Sequence, residues 1–380
     1  MVTAARSADA AVVGAGIIGL AHAYALARRG RSVVVFERSP RAAGASVRNF
    51  GMIWPVGQPA GRMHQMALRS RELWLEVLAG ARLPYYPTGS LHVVRRTDEA
   101  DVAREFCDTA PSLGYVCEWL DPAAVLARSS TVRADGLLGA IWSPTEITVD
   151  PRVTLARLPD YLSARFGVQF RFETAVREID LPAVHAGGET WRAETAIVCT
   201  GHDFEMLYPE IFRASGLTRA KLQMMRTHPQ PEGWQLGPAL AAGLTLRFYE
   251  SFRICRTLAA LERRIAAETP AYDRWGIHVL ASQTAAGELT IGDSHEYGAA
   301  VDPFDRAEID ELILDYARGF LQAPEWRIAQ HWHGVYAKLA DGPYLSASPA
   351  PGVRVVTGTG GAGMTLSFGI AEQTMTEMGF

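Results

Sequence analysis

The chain opens with short apolar runs separated by glycine turns. Ala10–Val13 is wholly apolar, Gly14-Ala15-Gly16-Ile17-Ile18-Gly19 follows, a helix-like segment runs to Arg28-Arg29-Gly30, and Ser32–Phe36 ends on Glu37. This pattern predicts a strand, a glycine turn, a helix and a second strand capped by an acid, a first βαβ unit. Residues 38–60, rich in Gly, Ser, Pro and Asn, read as irregular. From Gly61 to about Gly80 the apolar residues Met63, Met66, Ala67, Trp74, Val77 and Leu78 recur at helical spacing. Gly89–Val94 and Leu137–Trp142 read as strands, and 98–113 as a helix. Asp121-Pro122 and Asp150-Pro151 each place a capping acid before a first-turn proline, and the second helix runs to about Phe166.

Val168–Phe172, Thr174–Asp180 and Thr195–Thr200 follow as strands. Residues 217–257 alternate as in an antiparallel sheet, which predicts that Thr245, Arg247, Tyr249, Ser251 and Arg253 share one strand face. Residues 305–321 read as a helix. Val353–Thr357 is a buried strand running into Gly358-Thr359-Gly360-Gly361-Ala362-Gly363, with a helix from about Met364 or Thr365 to the end.

Length and composition add bounds. A chain of 380 residues exceeds one typical core, so two domains are expected. The 48% hydrophobic and 21% charged content is globular, and the net charge of −4 points to neither nucleic acid nor an anionic membrane. Only Lys221 and Lys338 break an otherwise all-arginine basic set. Cys107, Cys117, Cys199 and Cys255 show no ligand or disulfide spacing, so no metal is expected. There is no run of about 18 apolar residues, so no membrane span is predicted. The glycines within the apolar N-terminus argue fold rather than export signal, and a reducing cytoplasm is the expected location.

The first turn carries the chemistry. Gly14 permits the tight bend, Gly16 lets backbone N–H groups approach a pyrophosphate, and Gly19 allows helix and strand to pack closely. Glu37, 18 residues past Gly19, stands where an acid accepts hydrogen bonds from a ribose diol. The unit reads as an adenine dinucleotide site. Four glycines in the six residues 358–363 open a second helix, whose N-terminus suits negative charge developing at the N1/O2 edge of a flavin. Cys199-Thr200-Gly201 lets the chain pass beside the nucleotide, and the strand around Val176 reaches the adenine. In Ala45-Ser46-Val47-Arg48-Asn49-Phe50-Gly51, Ser46 and Asn49 are placed to bond phosphate or backbone.

Together these pieces resemble the D-amino acid oxidase-like superfamily of FAD oxidoreductases, which includes glycine oxidase and monomeric sarcosine oxidase. The likeness runs through Gly14–Gly19 with Glu37-Arg38, Gly44-Ala45-Ser46 with Asn49-Phe50-Gly51, Cys199-Thr200-Gly201, Gly334 to Pro343, and Gly360-Gly361-Ala362-Gly363-Met364-Thr365. It implies an α/β fold: a Rossmann-like, glutathione-reductase-like FAD domain (1–83, 141–212 and 325–380) interleaved with an α+β substrate domain on an antiparallel sheet (84–140 and 213–324). It also implies oxidation of a C–N bond with hydride passing to flavin N5, the electrons then going to O2 or another acceptor. No cysteine lies in the late glycine loop, so the FAD is expected to be non-covalent.

The chain departs from the glycine-oxidase pattern at two arginines. Gly334-Val335-Tyr336-Ala337 replaces Gly-Leu-Arg-Pro, and Gly361 stands where a further arginine often falls. Both losses remove a planar fork for a carboxylate. Asn49–Pro59 and Gly292–Gly298 are similar to a narrower subgroup associated with aminophosphonate breakdown, which implies 2-aminoethylphosphonate or its N-methyl form as substrate. Arg48, Arg247, Arg253, His295 and Lys338 are candidates for the anion, with Tyr249, Tyr297 and Tyr336 as hydroxyl donors. His64, His331 and His333 could tune amine protonation. Two other classes compete: a flavoprotein that keeps FAD for structure, and an NAD enzyme, against which the late glycine run argues.

Overall fold

The computed structural model describes residues 6–380. Its nucleotide half is a six-stranded sheet in the order Leu345–Ala347, Val353–Thr357, Thr195–Val198, Ala10–Val13, Val33–Phe36, Gln169–Arg171. All neighbours are parallel except the antiparallel edge strand Leu345–Ala347. The unbroken apolar runs are explained by burial on both faces. Ala10, Val12, Val33 and Val35 face a helical layer that holds Ile17–Ala27, Arg62–Ala81, Pro151–Phe166 and Gly363–Glu377. Ala11, Val13, Val34 and Phe36 face the antiparallel meander Val176–Asp180, Ala183–Ala186, Glu189–Arg192, where Trp191 meets Phe36 edge-on at 5.5 Å.

The second half is a nine-stranded, mostly antiparallel sheet. Its backs are covered by Thr97–Thr109, Leu258–Glu268 and Ala307–Phe320, each burying an apolar stripe. Two strands fall on this sheet rather than with the nucleotide half. Ile328–Leu339 pairs along the whole of Leu217–Thr227, and Gly139–Ser143 pairs with Ser90–Val94. The expected boundaries at 325 and 141 therefore cut through the larger sheet, because strand pairing here joins segments distant in the chain, which local composition does not reveal.

The alternation over 217–257 is a strand only in part. Leu217–Thr227 and Ala239–Ala242 are strands, but Gly243–Leu246 is a helical turn and Glu250–Ile254 a 3-10 turn. Thr245 Oγ1 accepts the Ala242 N–H at 3.1 Å and donates back to the Ala242 carbonyl, which turns the chain out of the sheet. Leu244, Leu246 and Phe252 follow it into the core. Arg247 and Tyr249 therefore do not share a strand face.

Candidate active site

A single long cavity of about 1280 Å³ lies between the two sheets, at the carboxyl ends of the parallel strands. That exceeds the roughly 300–1000 Å³ of ordinary small-molecule sites and leaves room for a dinucleotide beside a small substrate.

The nucleotide end is shaped by backbone. Gly14 has φ +101°, and a Cβ there would sit 2.4 Å from the Cys199 carbonyl oxygen. A Cβ on Gly19 would sit 1.9 Å from the Gly14 carbonyl oxygen, so the helix crosses the turn with no room for a methyl group. Glu37 is held by two backbone donors, Ala15 N–H to Oε2 (2.9 Å) and Ser39 N–H to Oε1 (3.0 Å). Each oxygen keeps capacity for a second donor, as a ribose diol requires.

Most residues expected at the cofactor do line the cavity: Gly14, Gly16, Ile17, Ile18, Glu37, Arg38, Ala45, Ser46, Arg48, Asn49, Phe50, Val176, Cys199, Thr200, Gly201, Gly334, Tyr336, and Gly360 to Thr365. Ala15, Gly19 and Gly51 are not on its wall and act from behind it; Gly51 leaves no space before the Val149 carbonyl, 1.8 Å from where its Cβ would be.

Several polar groups are already committed to the protein. Ser46 Oγ accepts the Ile17 N–H (2.9 Å) at the start of the first helix. Asn49 donates to the carbonyls of Ala45 and Ser46 (3.0 Å each) and accepts the Gly51 N–H (2.7 Å), so it shapes its own loop. Arg38 pairs with Asp203, and Thr365 Oγ1 accepts the Trp54 N–H at 2.9 Å. The late glycine run is a 3-10 turn, Gly360–Ala362, leading into the helix Gly363–Glu377.

At the other end the wall is made of side chains. Tyr336, Lys338, Tyr249, Arg247, Arg48, His295, Arg253 and Tyr297 all line it. Burial, the largest influence, raises the phenols of Tyr249 and Tyr336 above the ordinary tyrosine range, so both are protonated donors. Arg247 is tied to Asp273 and to the carbonyls of Tyr272 (3.3 Å) and Ile277 (3.1 Å), and Arg253 pairs with Glu262. Arg48 donates to the His333 carbonyl at 3.1 Å. Lys338 Nζ has no carboxylate partner among the described residues; it sits 4.9 Å over the Tyr297 ring and 3.5 Å from its hydroxyl.

The other lysine is elsewhere. Lys221 is fully buried against Asp305 (3.0 Å) and is not on the cavity wall. His64 stacks on Tyr115 at 3.9 Å away from the cavity, and His331 pairs with Asp310; of the three histidines considered for amine protonation, only His333 reaches the wall.

Sequence reasoning passed over Asp293, His278, Phe248 and Trp54, which also line this end. The one available signal was Asp293 lying two residues before His295 in the Gly292–Gly298 segment, a spacing that puts both on one side of an extended chain.

A parallel sheet with a GxGxxG turn, an acid after the second strand and a cavity at the strand ends defines a dinucleotide-binding redox fold. Comparison with known proteins narrows the class. The chain belongs to the FAD dependent oxidoreductase family, whose model matches residues 9–377, and FAD is its cofactor.

Among sequence relatives, glycine oxidase of Geobacillus kaustophilus is 26% identical over 205 residues, 51% of this chain and 54% of that protein. D-amino acid dehydrogenase of Cereibacter sphaeroides is 24% identical over 95% of this chain and 89% of that protein. The chain thus spans about half of the glycine oxidase it matches, and only 34% of the bifunctional protein ThiO/ThiG of Nostoc. Two solved structures share the fold: glycine oxidase from Geobacillus kaustophilus (TM-score 0.77, 21% identity, 98% of this chain and 94% of that one) and L-proline dehydrogenase from P. horikoshii (TM-score 0.76, 17% identity, 99% and 94%).

The residues present fit FAD: the turn is so tight that a Cβ on Gly14 or Gly19 would strike backbone, as a dinucleotide-binding glycine turn requires, and Glu37 is fixed with acceptor capacity to spare. Among the described residues no helix is long and apolar enough to cross a membrane.

Proposed function

We propose that this chain oxidises the C–N bond of a small amine, and that its substrate is an aminophosphonate such as 2-aminoethylphosphonate or its N-methyl form. When bound, FAD would supply the two-electron acceptor for the hydride on the carbon next to the nitrogen of the neutral amine, and water would convert the imine to a carbonyl compound and ammonia or methylamine. The electrons then pass to O2 or another acceptor. Gly14, Gly16, Glu37 and the Cys199–Gly201 turn would hold the nucleotide, and Gly360 to Thr365 would border the isoalloxazine.

The observation that carries the substrate reading is Lys338. Tyr336 and Gly361 stand where the glycine-oxidase pattern carries arginines, and Arg247 and Arg253 are spent on acids of the protein. Lys338 and Arg48 are left as cations on the wall without a carboxylate partner among the described residues; Arg48 is held by the His333 carbonyl, and Lys338 lies beside the phenol of Tyr297. A lysine is a point charge with three donors, suited to a tetrahedral anion, whereas a carboxylate is matched by the planar arginine fork. The protonated phenols of Tyr249 and Tyr336 add donors on the same wall.

Steady-state kinetics test the reading. Holoenzyme is assayed with 2-aminoethylphosphonate, its N-methyl form, glycine, sarcosine and D-alanine. The phosphonates are expected to lead by about tenfold or more in kcat/KM, equivalent to about 1.4 kcal/mol at the transition state. A tenfold lead for the carboxylates removes the phosphonate. Failure of every amine to bleach the flavin anaerobically removes amine oxidation altogether.

A further inference from the structure

One buried group on the cavity wall joins His278 to Asp293 and His295 of the Gly292–Gly298 segment, and the substrate reading above gives it no part. His278 and Asp293 exchange backbone hydrogen bonds (3.2 and 2.8 Å) just beyond the hairpin Leu280–Gln283 and Leu289–Gly292, which sets their side chains together. Asp293 is 5% exposed, yet no N–H or O–H among the described residues donates to its carboxylate. His278 Nε2 stands 3.0 Å from Oδ1 but off the line of a hydrogen bond.

His295 is fixed more tightly. Its Nδ1 lies 3.0 Å from the Gly276 carbonyl, which can only accept, so that nitrogen carries the proton and Nε2 presents its lone pair. Burial holds the ring neutral by lowering its pKa to about 4. The bare Nε2 faces Asp293 Oδ2 across 4.0 Å. Both residues line the cavity and neither atom has a donor among the described residues, so a ligand rich in N–H groups would meet two facing acceptors there.

We propose that the gap between Asp293 Oδ2 and His295 Nε2 is the seat of the substrate nitrogen, each acceptor taking one N–H; this rests on the amine reading above. The 4.0 Å between Oδ2 and Nε2 suits an ammonium better than a zinc ion, while His278 Nε2 and Asp293 Oδ1, 3.0 Å apart, would also suit adjacent metal ligands, which makes a metal an outcome of the test. Two acceptors bonded to one nitrogen at about 2.9 Å stand roughly 4 to 4.7 Å apart. Adjacent ligands on a zinc ion, at about 2.1 Å from it, stand only about 3.0 to 3.4 Å apart. The walls suit a desolvated ammonium: Phe248 stacks on His278 at 3.8 Å, and Tyr297 lies parallel to His295 at 6.1 Å. Tyr297 also carries Lys338 over its ring, so a single phenol links the nitrogen seat to the proposed anion seat. The two poles together select a zwitterion.

The test separates the poles with two probes. Holoenzyme, Asp293→Asn and Lys338→Gln are compared for half-saturation of anaerobic flavin reduction by 2-aminoethylphosphonate, and for calorimetric binding of ethylphosphonate, which lacks the nitrogen. If the carboxylates win the assay above, glycine and acetate replace this pair. Asp293→Asn is expected to weaken the amine at least tenfold and ethylphosphonate less than twofold, with the flavin spectrum intact. Lys338→Gln is expected to weaken both. His295→Phe keeps a ring between Phe248 and Tyr297 and is expected to weaken the amine alone, by about threefold or more; it serves if Asp293→Asn does not fold. Equal losses for both probes in Asp293→Asn, or no loss for the amine, overturn the proposal. So does a stoichiometric divalent metal found by mass spectrometry in the holoenzyme and absent from the variant. A wild type that no amine reduces overturns the amine reading and this one with it, whereas a reducible wild type with an unaffected Asp293→Asn overturns this one alone.

Discussion

The two ends of the cavity are built by different means. The nucleotide end is centred on one local unit, the Gly14–Gly19 turn with Glu37 at the end of the next strand, to which the turns Cys199–Gly201 and Gly360–Thr365 are added from farther along the chain. Its shape is set by carbonyls and N–H groups, and side chains such as Ser46 and Asn49 serve mainly to hold that backbone. The amine end comes from distant segments: Tyr249 from the chain after a helical turn, His278 and Asp293 from either side of a hairpin, Tyr336 and Lys338 from a long strand. There, side chains face the cavity. Backbone-built sites tolerate little change at their glycines, while side-chain-built sites can change ligand by single substitutions.

Gly19→Ala is the sharpest way to break this contrast and has the largest expected effect. The new methyl would lie 1.9 Å from the Gly14 carbonyl oxygen, a backbone atom that cannot swing away. Helix and turn must separate, at about 3 kcal/mol or more of overpacking strain. The purified variant should be colourless, with thermal unfolding no longer responsive to added FAD. A yellow Gly19→Ala protein with near wild-type affinity for FAD would show that the turn is not a rigid cradle.

The same contrast explains what was legible in the sequence. Strands buried on both faces, glycine spacing and proline-capped helices are local, so Val353–Thr357 and Pro151–Phe166 emerge with almost their true limits. The nucleotide wall was legible for the same reason. The Arg247–Tyr249 face was misread because a period of two also fits a chain that turns at Thr245 and buries Leu244, Leu246 and Phe252 irregularly. The pairing of His278 with Asp293 left no spacing signal at all, since hairpin geometry rather than sequence distance joins them. The sequence leaves Asn49 to bond either phosphate or backbone, and which of the two it does depends on which carbonyls the loop turns inward.

Acid treatment distinguishes the halves by their buried histidines. Desolvation lowers His22, in the nucleotide half, to about 4, and His92 and His295, in the other half, to about 3 and about 4. In the unfolded chain each titrates near 6.5. Below that pH the unfolded state binds protons that the folded state refuses, so stability is full above about pH 6.5 and falls as pH drops toward about 4. Each histidine contributes at most about 1.4 kcal/mol per pH unit. Urea unfolding from pH 7 to 4.5 should show this slope, and His22→Leu, which keeps the site apolar, should remove about one proton from it. An unchanged slope in His22→Leu would mean that His22 is reached by water.

The smallest expected effect concerns the loop that joins the two ends. Arg48 donates to the His333 carbonyl and accepts the Trp332 indole N–H through its own carbonyl at 3.4 Å, so the loop rests on the strand that carries Tyr336. Asn49 closes this loop with three hydrogen bonds to its own backbone. Asn49→Ala frees two carbonyls on half-buried residues, which water can satisfy, and the N–H of buried Gly51, which water reaches less well. The net loss should be about 1 kcal/mol. Because Ser46 of the loop holds the start of the first helix while Arg48 rests on the larger sheet, the loss should appear as a severalfold weaker hold on FAD, read by fluorescence titration of apoprotein, with the relative preference among amines unchanged. A variant that binds FAD normally but reorders the amine panel would place Asn49 on the substrate side and dissolve the division between a backbone-built and a side-chain-built wall.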